Sequence, residues 1–327
     1  DSLKPSILVD SRADVLVYGM GEKQVVEIAD AVDRVAVDRC AVDRPVGLRI
    51  AALEEIPQVA YIEARGERLE AKGERIVLRS HEEAVKSKRV HAENFRLIET
   101  ESNIINAATI VQPVGDKCVV VNPPYPTMTT EELDAIYDLP FMYHPHPKYK
   151  NKHIPAYEMI RFSVCMHRGC FGGCSFCTIA AHQGRFIQNR SVNNIVNEIN
   201  KLVLHPEFKG VISDVGAPTA NMYKMRGKNP ELCDKCSRKS CLFPKMCPNL
   251  NHSHKDVLAL YQEISKIKGV KNFYIGSGIR YDLFLGENGY LDETSRPYLK
   301  ELITKHTSGR LKVAPEHTES HVLQYMS

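Results

Sequence analysis

Residues 170–177 read Cys170-Phe171-Gly172-Gly173-Cys174-Ser175-Phe176-Cys177. Three cysteines stand with three and then two residues between them, a spacing that lets thiolates from one loop converge on a single metal centre. Gly169, Gly172 and Gly173 strip Cβ bulk from the loop, so it can wrap tightly and turn backbone N–H groups toward sulfur. A [4Fe–4S] cluster held by three thiolates leaves one iron open to bind something else. Zinc or three buried thiols are the plainer alternatives, but a structural zinc ion normally takes a fourth protein ligand. The aromatic Phe176 precedes the third cysteine, and a strand-like run from Met159 to Val164 leads into the loop.

Downstream of this loop the pattern alternates between strand and helix. Ser191 can cap a helix that carries Val192, Ile195, Val196, Ile199 and Leu202 on one face. Gly210 to Asp214 predicts a second strand, and Val257, Leu258, Tyr261 and Ile264 mark the next helix. Asn272 to Ile275 predicts a third strand, Pro297 to His306 a helix, and Leu311 to Ala314 a fourth strand. Repeated βα units imply an α/β fold with a parallel sheet or barrel and right-handed crossovers. Sites on such sheets lie at the C-terminal strand ends.

Upstream, Val15 to Tyr18 predicts a strand and Gly19 to Glu22 a turn. A helix follows with Val25, Ile28, Ala29 and Val32 on its apolar face. The repeats Ala31-Val32-Asp33-Arg34, Ala36-Val37-Asp38-Arg39 and Ala41-Val42-Asp43-Arg44 have a period that fits neither helix nor strand, and read as a local duplication in a helix extension or linker. A hairpin is expected from Leu69 to Leu78, turning at Lys72-Gly73. A charged helix is expected from His81 to Glu99, and a strand at Cys118 to Val121, stopped by Pro123 and Pro124. Thr129 with Glu132 makes a capping box for a helix through Tyr137. His144-Pro145-His146-Pro147, followed by Lys148, Lys150 and Lys152, reads as a rigid basic linker.

The 327 residues suffice for two domains, and 43% apolar with 25% charged residues is ordinary for a globular protein. A net charge of +3 is too small to argue by itself for a nucleic-acid partner. No apolar run reaches membrane-spanning length, so no membrane partner is expected. Ten cysteines, seven of them in two tight groups, read as metal ligands rather than a disulfide framework. Such thiolates suit a reducing cytosol, and a cytoplasmic location is expected.

The cysteine loop resembles that of the radical S-adenosylmethionine superfamily. His167-Arg168-Gly169-Cys170, Ala217 to Tyr223, Ser277 to Leu283 and Val313 to Thr318 resemble its YgiQ-type subfamily, and all four follow expected strand ends. The resemblance implies that Cys170, Cys174 and Cys177 hold a [4Fe–4S] cluster. It implies further that the open iron chelates S-adenosylmethionine, and that one electron cleaves it to methionine and a 5′-deoxyadenosyl radical. That radical would abstract hydrogen from an unknown substrate. The same resemblance places Phe176 beside the adenine and Gly216-Ala217 at the methionyl ammonium, although the superfamily's usual Gly-Gly-Glu is here Gly-Ala-Pro. Ser277 and Arg280 would lie near the methionyl carboxylate and Glu316 near the ribose, with His317 close by. An electron donor such as a flavodoxin or ferredoxin is implied.

For the fold, the resemblance implies a partial parallel (βα) barrel over 156–327, with fewer units than such barrels usually have. A connecting region and linker over 46–155 would precede it. Residues 1–45 would be the remnant of a flavodoxin-like α/β domain. Both ends therefore read as cut.

A second group, Cys233, Cys236, Cys241 and Cys247, could form a closed site for zinc or a second iron–sulfur cluster, with His252 or His254 as substitute ligands. Four coincidental thiols is the bland alternative. The competing function is a non-enzymatic, zinc-stabilised binding protein, with nucleic acid as one conceivable partner. Within the enzyme reading, a nucleic-acid or ribosomal substrate competes with a small metabolite, because Glu316 to Met326 loosely resembles the fourth-strand region of methylthiotransferases.

Overall fold

The computed structural model describes residues 3–37, 53–64, 74–102, 104–150, 152–286, 289–313 and 315–326. The chain divides into two compact units, one of Asp1–Pro126 with Pro230–Lys239 and one of Thr127–Asn229 with Ser240–Ser327. No helix among the described residues is long and apolar enough to cross a membrane.

The first unit is built on a five-stranded sheet. After a short helix α1 (Ile7–Ser11) come β1 (Val15–Val17), α2 (Glu22–Val37), β2 (Val59–Ala64) and β3 (Arg75–Val77). They are followed by α3 (His81–Lys86), α4 (Lys88–Glu101), β4 (Thr109–Val114) and β5 (Lys117–Val121). The strand order is β1-β2-β5-β4-β3. The β3–β4 pair is parallel and the others are antiparallel. The sheet runs across residue 45, so β1 shares hydrogen bonds with β2. Val59, Ala60, Tyr61 and Val120 are buried in it.

Three local expectations change here. In α2 the buried positions are Gln24 and Ala31, while Val25 and Val32 are exposed. The face is therefore rotated from the one that apolarity alone selects. The charged helix from His81 is broken at Ser87, which sits at φ −140° and caps α4 through Val90 N–H. A serine hydroxyl that satisfies an orphan N–H offsets the cost of a second helix start. The expected hairpin turn at Lys72-Gly73, and most of the tandem repeat, lie outside the described residues. The described hairpin arm, β3, pairs in parallel with β4.

The second unit has mixed α/β structure with parallel strand pairs. It opens with α5 (Thr130–Tyr137), whose Thr129–Glu132 capping box is formed as expected. Next come α6 (Pro155–Ile160), β6 (Ser163–Cys165), β7 (His167–Arg168), α7 (Ile179–Gln183), β8 (Gln188–Asn189) and α8 (Val192–Val203). Then follow β9 (Val211–Ile212), β10 (Asp214–Gly216), β11 (Arg226–Gly227), β12 (Leu250–Asn251), α9 (Lys255–Ser265), β13 (Asn272–Phe273), α10 (Arg296–Lys305) and α11 (Ser320–Met326). β10 pairs in parallel with β6, and β9 in parallel with β13. The consecutive β9 and β10 therefore lie between the other two. Among the described residues of the fourth expected strand, Val313 forms one parallel bridge, with Ile279. The strand-like run from Met159 is helix as far as Ile160, because Pro155 sits in the first turn of α6 with its fixed φ. Only Ser163 to Cys165 extends.

The core of this unit is apolar and continuous, with Val164, Ile199, Ile212, Val215, Tyr261 and Phe273 among its buried members. The most deeply buried arginine among the described residues lies against it. Arg190 is fully buried; it donates to Glu198 (2.5 Å), Asn194 (2.7 Å) and the carbonyl of Cys165 (2.8 Å), and its guanidinium lies 3.9 Å from the Tyr137 ring centroid. A buried charge survives only when paired and hydrogen-bonded in this way. The bond to Cys165 fixes the end of β6, the point from which the cysteine loop departs.

Candidate functional site

The loop is closed at its base by the β7–β8 ladder, which pairs His167 with Asn189 and Arg168 with Gln188. Met166 N–H donates to Gly216 O, which ties the loop's entry to the end of β10. Inside the loop, Cys170 N–H reaches Gly184 O (3.1 Å) and Cys177 N–H reaches Cys174 O (3.0 Å). From outside, Ser240 Oγ donates to Gly172 O (2.7 Å) and Cys241 N–H to Phe171 O (3.1 Å). Phe171 is buried and anchors the loop in an apolar cluster with Met222, Leu242 and Leu283. Ser175 donates from N to Met326 O (2.8 Å) and from Oγ to Tyr325 O (2.5 Å).

Two of the three sulfurs meet polar partners from distant loops. Cys170 Sγ lies 3.3 Å from Thr219 Oγ1 and accepts from Gly172 N–H (3.4 Å). Arg280 Nη1 donates to Cys174 Sγ (3.4 Å). Thr219 follows β10 and Arg280 follows β13, so both partners come from the C-terminal ends of parallel strands. Burial pushes the Cys170 thiol pKa up, opposed by Thr219, Gly172 and Arg280. Cys177 is exposed.

The donor set suits an iron–sulfur cluster in its chemistry. Three thiols share one loop, and two of them receive or lie beside donors of the kind that stabilise thiolate. The loop also carries a cradle at Gly172. A Cβ there would sit 2.7 Å from Arg280 Nη1 and 3.3 Å from Cys170 Sγ, so glycine leaves the guanidinium room to reach sulfur. The described residues contain no group of three or more His, Cys, Asp or Glu side chains drawn together to hold a metal ion. The three thiols thus share the loop without converging in this structure.

The remaining expected site residues divide. Gly216 and Ser277 are brought together by Asp214, whose carboxylate accepts from Gly276 N–H (2.7 Å), Ser277 N–H (3.1 Å) and Ser277 Oγ (2.5 Å). A Cβ on Gly216 would collide with Ser277 Oγ and Asp214 Oδ2. Ala217 continues from β10 in the stretch that carries Thr219. Phe176 is 52% exposed, so ordinary core packing does not explain it. Glu316 is also exposed and takes φ +62°, and no described contact joins either residue to the sulfur group. His317 accepts at Nδ1 from Glu319 N–H.

Within the second cysteine group, Cys236 N–H donates to Cys233 O (3.1 Å) and Cys247 N–H to Cys241 O (2.8 Å). Cys233 and Cys236 belong to the first unit and Cys241 and Cys247 to the second. Cys241 and Cys247 pack on the apolar cluster of Phe171 beside Cys170. His254, a suggested substitute ligand, is fully buried between Asn221 (3.2 Å) and Ser295 (3.0 Å), with its ring stacked on Tyr298. The described cysteines form no disulfide.

Asp214, Thr219, Asn221, Ser240, His254 and Asp282 carry parts that the spacing of motifs did not reveal. Thr219, Asn221 and Asp282 lie inside the quoted stretches. Ser240 carries no local signal at all.

Among the described residues three buried imidazoles, His167, His254 and His306, are each held below the ordinary value by burial and give the unit a pH signature. Burial holds His167 down to about 4 and His254 down to about 3, against an ordinary 6.5. Unfolded, each takes up a proton near 6.5, so the unfolded state binds more protons below that pH. Stability is therefore full above 6.5 and falls as pH drops toward the folded values, by at most about 1.4 kcal/mol per pH unit for each ring. Urea unfolding between about pH 7 and 5 should show this slope. His254→Gln should remove roughly one proton's worth of it; an unchanged slope would refute the assignment.

Residues 1–163 match the family described as Radical SAM N-terminal. The whole chain is similar to a UPF0313 protein of Bacteroides thetaiotaomicron, 50% identical over 100% of this chain and 53% of that protein. It is 43% identical to a UPF0313 protein of Methanocaldococcus jannaschii over 98% of this chain and 49% of that protein. It is 38% identical to the UPF0313 protein YgiQ of Shigella flexneri over 100% of this chain and 49% of that protein. The chain spans about half the length of the curated relatives it matches.

Proposed function

The chain belongs to the YgiQ-type, UPF0313, family of the radical S-adenosylmethionine superfamily, and we propose that it is the cluster-binding part of an enzyme that cleaves S-adenosylmethionine reductively. Cys170, Cys174 and Cys177 would hold a [4Fe–4S] cluster. When bound, that cluster supplies one electron to the sulfonium, which splits into methionine and a 5′-deoxyadenosyl radical able to take hydrogen from a substrate. The observation that carries this reading is the convergence of Thr219 and Arg280, each from a strand-end loop, on Cys170 and Cys174.

The chain's own residues would do the rest. Thr219 and Gly172 N–H offset charge on Cys170. Gly216 and Ala217, at the end of β10, offer backbone to the methionyl ammonium, and Asp214 fixes the facing Ser277 loop. Phe176 is exposed where it can lie along an adenine, and Glu316 can accept from ribose hydroxyls. Arg280 has Nε and Nη2 on Asp282 and Nη1 on Cys174, so it serves the sulfur side of the site. We place the parallel pairs of the second unit in a partial barrel, and β1–α2 in the remnant of a flavodoxin-like domain. The proposed partners are a flavodoxin or ferredoxin as electron donor and an unidentified substrate.

A zinc-stabilised binding protein, with both cysteine groups structural, is the competing reading. Metal analysis and turnover separate the two. Anaerobic reconstitution with iron and sulfide, reduction and addition of S-adenosylmethionine should yield 5′-deoxyadenosine. Zinc as the only metal taken up, with no product, would sink the enzyme.

A further inference from the structure

We propose that Arg280 is the guanidinium that donates to Cys174 as a cluster ligand, and that the buried chain Asn221–His254–Ser295 is the device that holds it there. This deepens the reading of the three cysteines as cluster ligands and rests on it.

The guanidinium is committed on all its described edges. Nε and Nη2 form a two-point pair with Asp282 (3.1 and 2.6 Å), and Nη1 reaches Cys174 Sγ at 3.4 Å. A planar fork bound this way has a fixed orientation, which an ammonium on a flexible stem does not. Gly172 leaves the space that Nη1 occupies. A methionyl carboxylate would have to compete with Asp282 for the same fork.

The backbone of Arg280 is held as firmly. Asn221 Oδ1 accepts from Arg280 N–H (3.0 Å), and Asn221 Nδ2 donates to Arg280 O (2.9 Å). That pair of bonds fixes the amide's orientation, so Nδ2 is also the atom that faces His254 Nε2 (3.2 Å). His254 Nε2 must then accept, which puts the ring proton on Nδ1, where it donates to Ser295 Oγ (3.0 Å). Asn221, His254 and Ser295 are all fully buried. The chain thus runs from the start of α10, through the residue before α9, to the loop after β13.

A cation with an N–H directed at a ligand sulfur stabilises the more negatively charged, reduced state of a cluster. Arg280 therefore raises the potential at which electrons can be loaded, and Asn221 and His254 are positioning residues for that effect. The test compares the parent with Arg280→Gln, Arg280→Lys, Asn221→Ala and His254→Gln after anaerobic reconstitution. Iron and sulfide content, the cluster midpoint potential and the electron paramagnetic resonance spectrum of the reduced state are measured. Arg280→Gln should shift the potential to more negative values and change the spectrum. Arg280→Lys should shift it less, and Asn221→Ala and His254→Gln should move it in the same direction. In metal-free protein, amide exchange across residues 170–177 should rise several-fold in Arg280→Gln and Asn221→Ala, because the tie to Cys174 is lost.

Unchanged potential and spectrum in Arg280→Gln at parental iron content overturn the proposal. So does unchanged exchange in both metal-free variants. If Arg280→Gln takes up no cluster, Arg280→Lys and Asn221→Ala decide by the same measurements. A parent that takes up no iron–sulfur cluster sinks the reading of the three cysteines instead, and the exchange data still decide whether Arg280 holds the loop.

Discussion

Cys174→Ala should lose both the iron–sulfur cluster and the production of 5′-deoxyadenosine, by ~100-fold or more, beyond the 10–100-fold typical of losing an outer-shell partner. The reason is the ligand count. A loop with three thiols can hold three irons of a cubane, whereas two thiols leave a second iron open to water and loss. Cys174 is also the sulfur that receives Arg280 Nη1, so the substitution removes a ligand and leaves a half-buried guanidinium edge without its acceptor. Cys170→Ala and Cys177→Ala should match it in outcome. Cys165→Ala is the control. Burial pushes that thiol's pKa up, and its sulfur points back at His167 O (3.2 Å), within the strand that leads into the loop. It should keep parental iron. Iron, sulfide and product are measured side by side. Parental iron and product in Cys174→Ala would dismiss the assignment.

What could be read from the chain alone was short in range. The cysteine loop is legible because its chemistry sits within eight residues and its glycines announce a tight path. Helix starts at Thr130 and Val192 are legible because the cap and its partner are three residues apart. The order of strand and helix in the second unit survives as far as α10, and so does the placement of the Ala217 and Ser277 stretches after strands. What fails is of two kinds. Local competition defeats some expectations: Pro155 starts a helix inside an apolar run, and the hydroxyl of Ser87 splits one helix into two. The face of α2 is decided by what it packs on, and Gln24 is buried where Val25 is not.

The other kind is long-range pairing, to which spacing is blind. Arg280 and Cys174 are 106 residues apart, Asp214 and Ser277 are 63 apart, and Asn221 and His254 are 33 apart. Arg280 illustrates the consequence. Its type and its place after a strand suggest a pair with the methionyl carboxylate, and neither reveals its contact with Cys174 Sγ. Asp282, two residues on, supplies a carboxylate already, and that turns the remaining Nη1 toward sulfur. His254 shows the reverse case. A histidine near four cysteines suggests a ligand, yet full burial between an amide and a hydroxyl uses both of its nitrogens.

Gly169→Ala should cost the protein stability on the order of 3 kcal/mol or more and strip the loop of its ability to take up iron. Two terms add. Gly169 has φ +86°, in the left-handed region, where an alanine is strained by roughly 1–2 kcal/mol. Its Cβ would also collide with Phe186 O and lie 3.1 Å from Gly184 O. Both are backbone atoms, so neither can turn away as the end of a side chain would. Relief requires the 184–186 segment to withdraw, which breaks the Cys170 N–H bond to Gly184 O and opens the β7–β8 ladder that closes the loop. Gly115→Ala separates the two terms. Gly115 has φ +60° at the turn between β4 and β5, with nothing within 4 Å of a Cβ, so alanine there carries the conformational strain without the collision. Denaturant midpoints of the two variants, with iron uptake alongside, make the comparison. Gly169→Ala should be the more destabilised by at least about 1 kcal/mol and the only one of the two to lose iron. Equal losses of stability with iron uptake retained would mean that the Phe186 carbonyl does not crowd Gly169, and that the loop's tight closure is not what shapes the cysteine site.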